Sequence, residues 1–310
     1  MSQVKGIFLF CKLWSLDYLG RGKIQPEFLG NLSGMIKHSS SPISSADIEP
    51  LYRLAQQAGE AILAIYLDES TWHETAKSDN TPVTAADLAS SDILVRGLPA
   101  IVNCPVVSEE ALPSYEARKD WPLYWLVDPM DGTREFIHKT GEFVINIALM
   151  RDHQPIFGML YQPQSQIAWW GGRQLGAFTG TAEKFLPLCA GSSSKELIAL
   201  GSRRSKWQGA WVERLSLAGF NVTKESLGSA LKFMRLAEGL GDLYPRLGPT
   251  SEWDTAAPQA ILEQTGGGIV RWDGSPIDYG KKDTLNPHFV AVRDLGLLHY
   301  LLSDEDYLPD

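Results

Sequence analysis

The sequence predicts a mixed α/β protein whose layers share one cleft, and three observations carry that expectation. Ile48, Leu51, Leu54, Ala55, Ala58, Ile62 and Ile65 recur at the spacing of one buried helix face. Between residues 106 and 170 the chain breaks into short β-rich runs. Beyond about residue 186, strand-like and helix-like segments alternate. With 310 residues, 44% hydrophobic and ten of them tryptophan, a large core can be buried. A prior of roughly 100–200 residues per domain allows one large or two intimate domains.

In chain order, residues 1–44 read as an N-terminal extension, disordered or not translated. Its end is loop-like, with Ser33, Ser39, Ser40, Ser41, Pro42 and Ser44, and Met35 is the candidate true start. Residues 45–186 are expected to form an α+β domain and 187–310 an α/β domain. Ser45 is placed to cap the first helix, with Asp47 and Glu49 at its positive end. His73 to Thr81 reads as an extended hairpin or loop. Thr84-Ala-Ala-Asp87 opens a second helix with Leu94 and Leu98 on its inner side. Val106-Val107, Tyr124 to Val127, Phe143 to Met150, Pro155 to Tyr161 and Ile167 to Trp170 read as strands, and Gly171-Gly172 as a turn. Then come a strand at Leu197 to Leu200, a helix from Trp207 to Leu217, and a helix capped by Ser229 and running to Glu238. Leu243-Tyr244 is a short strand, and Asp254 to Gln264 a helix stopped by three glycines at 266–268. The last strands lie near Gly268 to Trp272 and Phe289 to Val292.

The formal net charge of −9 argues against long-range attraction to nucleic acid or an anionic membrane. An anionic small substrate would need bound cations or a local basic patch to reverse the field at its site. Cys11, Cys104 and Cys189 are scattered and odd in number, which points to a reducing compartment and away from a disulfide framework. No run approaches the roughly 18 apolar residues of a membrane span. Gly6 to Leu19 is interrupted by Lys12 and Asp17 and has no small-residue cleavage site after it. A cytoplasmic protein is expected, with peripheral contact at the inner face of the membrane left open.

The densest chemistry lies in Asp128-Pro129-Met130-Asp131-Gly132-Thr133. An apolar strand delivers Asp128 to its end, Pro129 fixes one backbone angle, and Gly132 permits a conformation other residues resist. Asp128 and Asp131 can then aim at one point with the Met130 carbonyl between them. Two converging carboxylates repel unless a cation sits there, and hard cations prefer oxygen ligands. Three further pieces are Ser108-Glu109-Glu110 after a short strand, Trp253-Asp254-Thr255-Ala256-Ala257 at a helix start, and Thr84 to Asp87. Taken singly, Glu109 is a solvated strand end, while Asp87 and Asp254 are helix caps.

Together these motifs resemble the inositol monophosphatase superfamily of magnesium-dependent, lithium-sensitive phosphatases, from about Ser45 to the C-terminus. Three longer stretches are similar to its 3′(2′),5′-bisphosphate nucleotidase branch. They are Lys77 to Asp87, Gly141 to Leu149, and Gly228 to Phe233 with Asp242 to Thr250. Ala230 and Arg204 stand where that branch often has serine. The resemblance implies a layered α-β-α-β-α sandwich. It also implies two or three Mg2+ ions held by Glu109, Asp128, the Met130 carbonyl, Asp131 and Asp254. Asp87 and Thr133 would position the attacking water. Gly132, Ser229, Lys232, Tyr244 and Arg246 would bind a small bisphosphate nucleotide, and the protein would be a monomer or homodimer.

The implied reaction is removal of the 3′-phosphate from 3′-phosphoadenosine 5′-phosphate, in sulfur assimilation and nucleotide recycling. The alternatives are an inositol monophosphatase or sugar bisphosphatase of the same superfamily, and a non-catalytic nucleotide sensor. Lys232 with Tyr244-Pro245-Arg246 argues against the first pair, and the intact acidic set against the last.

Overall fold

Two sheets separated by helices organise the chain in the computed structural model, which describes residues 42–68, 75–76, 82–83, 85–191, 194–203, 205 and 209–302. The expectations for residues 1–41, 73–74, 77–81 and 84, and for Arg204 and Trp207, lie outside the described residues.

Helix α1 (Ile48–Leu67) is entered through a 3-10 turn, Ser45–Asp47. The cap of that turn is Ser44 and not Ser45. The Ser44 hydroxyl accepts the Ala46 N–H, and the Asp47 carboxylate accepts the Ser44 N–H at 2.8 Å. That reciprocal pair requires an acid three residues after the cap, and only Ser44 has one. Ile43 joins the core beside this turn, so packing begins before residue 45. The expected face of α1 is buried at Leu51, Ala55, Ala58 and Ile62, and Tyr52 and Tyr66 extend it. The short strands β1 (Thr75–Ala76) and β2 (Pro82–Val83) pair antiparallel. Helix α2 (Ala85–Ile101) buries Leu94 and Leu98 as expected.

The large sheet has seven strands in the order β3-β4-β5-β6-β7-β8-β9. They are β3 (Val106–Ser108), β4 (Leu123–Asp131), β5 (Val144–Arg151), β6 (Gln154–Gln162), β7 (Ile167–Gly172), β8 (Gly176–Thr181) and β9 (Lys184–Pro187). Two short helices, α3 (Tyr115–Arg118) and α4 (Thr133–Ile137), flank β4 in sequence. Only β3 and β4 run parallel; every later neighbour is antiparallel.

Gly171-Gly172 is strand, not turn, and the reason is packing. A Cβ on Gly171 would stand 3.1 Å from the Cα of Ile261, and one on Gly158 only 2.2 Å from the Ala257 carbonyl oxygen. Both glycines let a helix backbone rest directly on the sheet. That helix is α7 (Glu252–Thr265), stopped by Gly266 at φ 95°.

The small sheet is mixed, in the order β11-β10-β12-β14-β13. Its strands are β10 (Glu196–Gly201), β11 (Asn221–Ser226), β12 (Leu243–Arg246), β13 (Gly268–Arg271) and β14 (Phe289–Val292). Helices α5 (Ala210–Leu217) and α8 (Leu298–Leu301) pack on one face through Trp211, Leu215, Leu298 and Leu301. Its other face meets α6 (Leu231–Ala237) and α7, which are shared with the large sheet. The layers run α1/α2, large sheet, α6/α7, small sheet, α5/α8, which is the expected α-β-α-β-α sandwich. Strands β8, β9 and β11 were not foreseen, because β8 and β11 are largely polar or small and β9 is only four residues long. Among the described residues no helix is long and apolar enough to cross a membrane.

Candidate metal centre and active site

The end of β4 forms the site. Pairing with β5 is regular up to Asp128 opposite Asn146, then shifts before Asp131 opposite Val144. That irregularity is the turning-back that Pro129 and Gly132 predicted. Asp128 Oδ1 accepts the Met130 N–H at 3.0 Å, and the Ser90 hydroxyl of α2 holds the Pro129 carbonyl at 2.8 Å. Gly132 adopts φ 104°, and a Cβ there would lie 2.9 Å from the Glu142 carbonyl oxygen. Glycine is needed at this position both for its backbone angle and for space.

Asp254 arrives from the second half of the chain. Ser251 caps α7, and Asp254, at the third helical position, accepts the Ser251 N–H at 2.9 Å. The cap is therefore Ser251 and not Asp254, whose carboxylate closes the capping box from the third helical position while standing beside Asp128 and Asp131. A segment absent from the sequence reasoning clamps this helix start. Asn286 Nδ2 donates to the Ser251 carbonyl at 2.6 Å and the Thr255 hydroxyl at 3.1 Å, and buried Glu252 accepts the N–H groups of Gly280 and Lys281. No local motif marks Asn286, because its partners lie over thirty residues away.

Oxygens of Asp128, Asp131 and Asp254 all lie within 4.8 Å of one another. Glu109 stands outside that tight trio, at the end of β3, where its N–H donates to the Val127 carbonyl at 3.1 Å. Its charge nonetheless acts on all three aspartates. Burial, then repulsion from Glu109, Asp131 and Asp254, pushes the Asp128 carboxyl well above the usual range. Burial also raises Asp254 to about 8, aided by Asp131 and Glu109. Asp131 rises to about 6 through burial, held back by the Lys232 ammonium and the Ala230 N–H. Such a cluster calls for protons or for a cation, and its all-oxygen donors suit a hard divalent ion.

Asp87, buried at the start of α2, accepts the Thr133 hydroxyl at 3.2 Å across 46 residues. These two expected partners are brought together. Their shared edge is stiffened by the Ser91–Ser108 hydroxyl pair at 2.9 Å, which ties α2 to β3.

Beside the acidic trio, at the expected substrate-binding residues, Ser229 adopts φ 47°, and Ser229 Oγ accepts the Leu231 N–H only at 3.4 Å. The helix begins at Leu231 and not at a Ser229 cap, because the 228–230 turn is drawn toward Asp131 by the Ala230 N–H. Lys232 is buried, donates to the Leu227 and Ser229 carbonyls, and lies 5.2 Å from the Tyr244 ring centroid. Burial lowers its ammonium to about 8. Arg246 is half-buried, with its guanidinium on the carbonyls of Gly248 and Pro249. Glu142 bridges this side, gripping Arg203 through two 2.7 Å bonds and accepting the Gly228 N–H.

The chain is similar to known proteins over nearly all of this architecture. It is 38% identical over 246 residues to the 3′(2′),5′-bisphosphate nucleotidase CysQ of Salmonella typhimurium, covering 78% of this chain and 98% of that one. The CysQ of Haemophilus influenzae is 36% identical over 248 residues, covering 78% and 90%. The crystal structure of CysQ from Bacteroides thetaiotaomicron superposes with a TM-score of 0.69 at 33% identity, over 80% of this chain and 97% of that one. The suhB protein of Bartonella henselae, 22% identical over 85% of this chain and all of its own, shares the fold with a TM-score of 0.67. The profile of the inositol monophosphatase family matches residues 44–300, which take in both sheets and all three clustered aspartates, and the chain belongs to that family.

Proposed function

We propose that the chain is a 3′(2′),5′-bisphosphate nucleotidase that converts 3′-phosphoadenosine 5′-phosphate and water to AMP and phosphate. The observation that carries this reading is the 38% identity to nucleotidases of that name, sustained over 98% of their length. Asp128, Asp131, Asp254, Glu109 and the Met130 carbonyl would hold Mg2+, as two or three ions. When bound, the metal offsets charge on the phosphoryl group and the departing oxygen and favours deprotonation of water.

The chain's own groups supply the rest. The Thr133 hydroxyl donates to Asp87, so its oxygen is left to accept a hydrogen bond from the attacking water. As that water bonds to phosphorus, its proton passes through Thr133 to Asp87, the bond to the 3′-oxygen breaks, and that oxygen takes up a proton from a solvent water. Gly132 and Ser229 bring backbone close to the phosphoryl group. Arg246, the more exposed cation, is proposed to reach the 5′-phosphate, while Lys232 and Tyr244 support that surface from behind.

The test is phosphate release, with Mg2+ or excess chelator, from 3′-phosphoadenosine 5′-phosphate, adenosine 3′-monophosphate, inositol 1-phosphate and fructose 1,6-bisphosphate. The bisphosphate nucleotide is expected to be the best substrate, with no turnover in chelator. Preference for the inositol or sugar phosphate would overturn the substrate, and full activity in chelator would overturn the metal. Arg246→Ala should cost roughly ten- to a hundredfold in kcat/KM on the bisphosphate and less on the 3′-monophosphate, since a charged hydrogen bond contributes about 1.5–3 kcal/mol.

A further inference from the structure

Asn146 is fully buried in β5, and its Oδ1 and Nδ2 find no hydrogen-bond partner. An unmet buried polar group lowers stability, because it loses its hydrogen bonds to water and gains none in return. Nothing in the sheet requires asparagine there: its neighbours on the same face, Val144 and Ala148, are apolar and pack toward α7. Asn146 lies directly opposite Asp128 in the antiparallel pair. Tyr124 and Leu126, alternating with Asp128 on its strand, pack in that same cluster. The amide and the carboxylate therefore share a face, with β-carbons about 4.5–5.5 Å apart as in any such cross-strand pair. One ordered water, or a small rotation, closes that gap.

We propose that Asn146 is a positioning residue of the metal centre: its carboxamide, directly or through one buried water, holds the Asp128 carboxylate in the orientation a divalent cation needs. An amide suits this task where a lysine or arginine would not. It donates a hydrogen bond without adding positive charge, so it steers the carboxylate without competing with the cation for it. The proposal rests on the reading of Asp128 as a metal ligand.

The test compares Asn146→Leu, which removes the unmet polar groups at similar volume, with wild type and Asp128→Asn. Affinity for Mn2+ is measured by calorimetry, and thermal unfolding is followed without metal. Asn146→Leu should keep or raise the metal-free Tm yet weaken Mn2+ binding about 10- to 100-fold, the range for residues that orient ligands. A loss smaller than about fivefold, with Asp128→Asn binding weakly, would overturn the proposal and leave the ligand reading standing. Wild-type affinity in Asp128→Asn would overturn the ligand reading itself. Should Asn146→Leu fail to fold, Asn146→Ala, which also lacks a side-chain donor, is judged by the same threshold.

Discussion

The two faces of the β4–β5 ribbon share one backbone and differ in everything else. Toward α1 and α2 it presents Trp125, Val127, Ile145, Ile147 and Leu149, all buried and all apolar. Toward α7 it interleaves Tyr124, Leu126, Val144 and Ala148 with Asp128 and Asn146, also buried. The first face stabilises by removing hydrocarbon from water. The second carries a carboxylate and an unpartnered amide at a net cost to folding, and it is the one that points into the site. The same strands thus separate stability from chemistry by the two-residue period of a β-strand alone.

That separation can be broken from either side. The largest effect is expected from Asp128→Asn, which should lower kcat/KM by at least about a thousandfold, as for lost groups that act on transition-state charge. Its metal-free Tm should hold or rise, since an acid crowded by burial and by its acidic neighbours has gone. A Tm that falls in step with activity would show the two faces to be one structural unit. On the opposite face, Ile147→Ala should cost about 2–5 kcal/mol in urea unfolding, with kcat/KM little changed while the protein remains folded. A large loss of turnover there would show that strain crosses the sheet.

The smallest effect is a slope. Asp131 and Asp254 have carboxyls raised to about 6 and about 8, so the folded state holds more protons than the unfolded chain. Without metal, their contribution is full below about pH 4 and is lost as pH rises through those values. The metal-free Tm should therefore fall between about pH 5 and 8, by a few degrees per kcal/mol. Saturating Mg2+ should flatten that slope, because the cation replaces the protons. A Tm that rises with pH in the metal-free protein would contradict it.

Much of this was legible because it is local. Alternation and helical spacing marked α1, α2 and β3 to β7, and the 128–133 turn announced itself through one proline and one glycine in a run of acids. The pairing of Thr133 with Asp87 could be expected only from the resemblance, since 46 residues separate them. The clamp on α7 by Asn286 and Glu252, and the isolation of Asn146, could not be read at all. Each depends on which distant segment arrives alongside, and no spacing within a segment encodes that. Ser44 replaced Ser45 for a smaller reason: two adjacent serines look alike until the Asp47 carboxylate chooses between them.

Gly158 and Gly171 were described as the seat of α7, and they also set where this chain is free to change. Any side chain at Gly158 would lift the helix that carries Asp254, so selection for a new substrate finds that position closed and Gly171 tightly constrained. The turns at 227–230 and 246–249, and the Glu142–Arg203 bridge, are joined by side-chain and turn hydrogen bonds that neighbouring residues can remake. Where that rim binds substrate as proposed, drift in specificity, in nature or in a library, is channelled to it while the acidic centre stays in place.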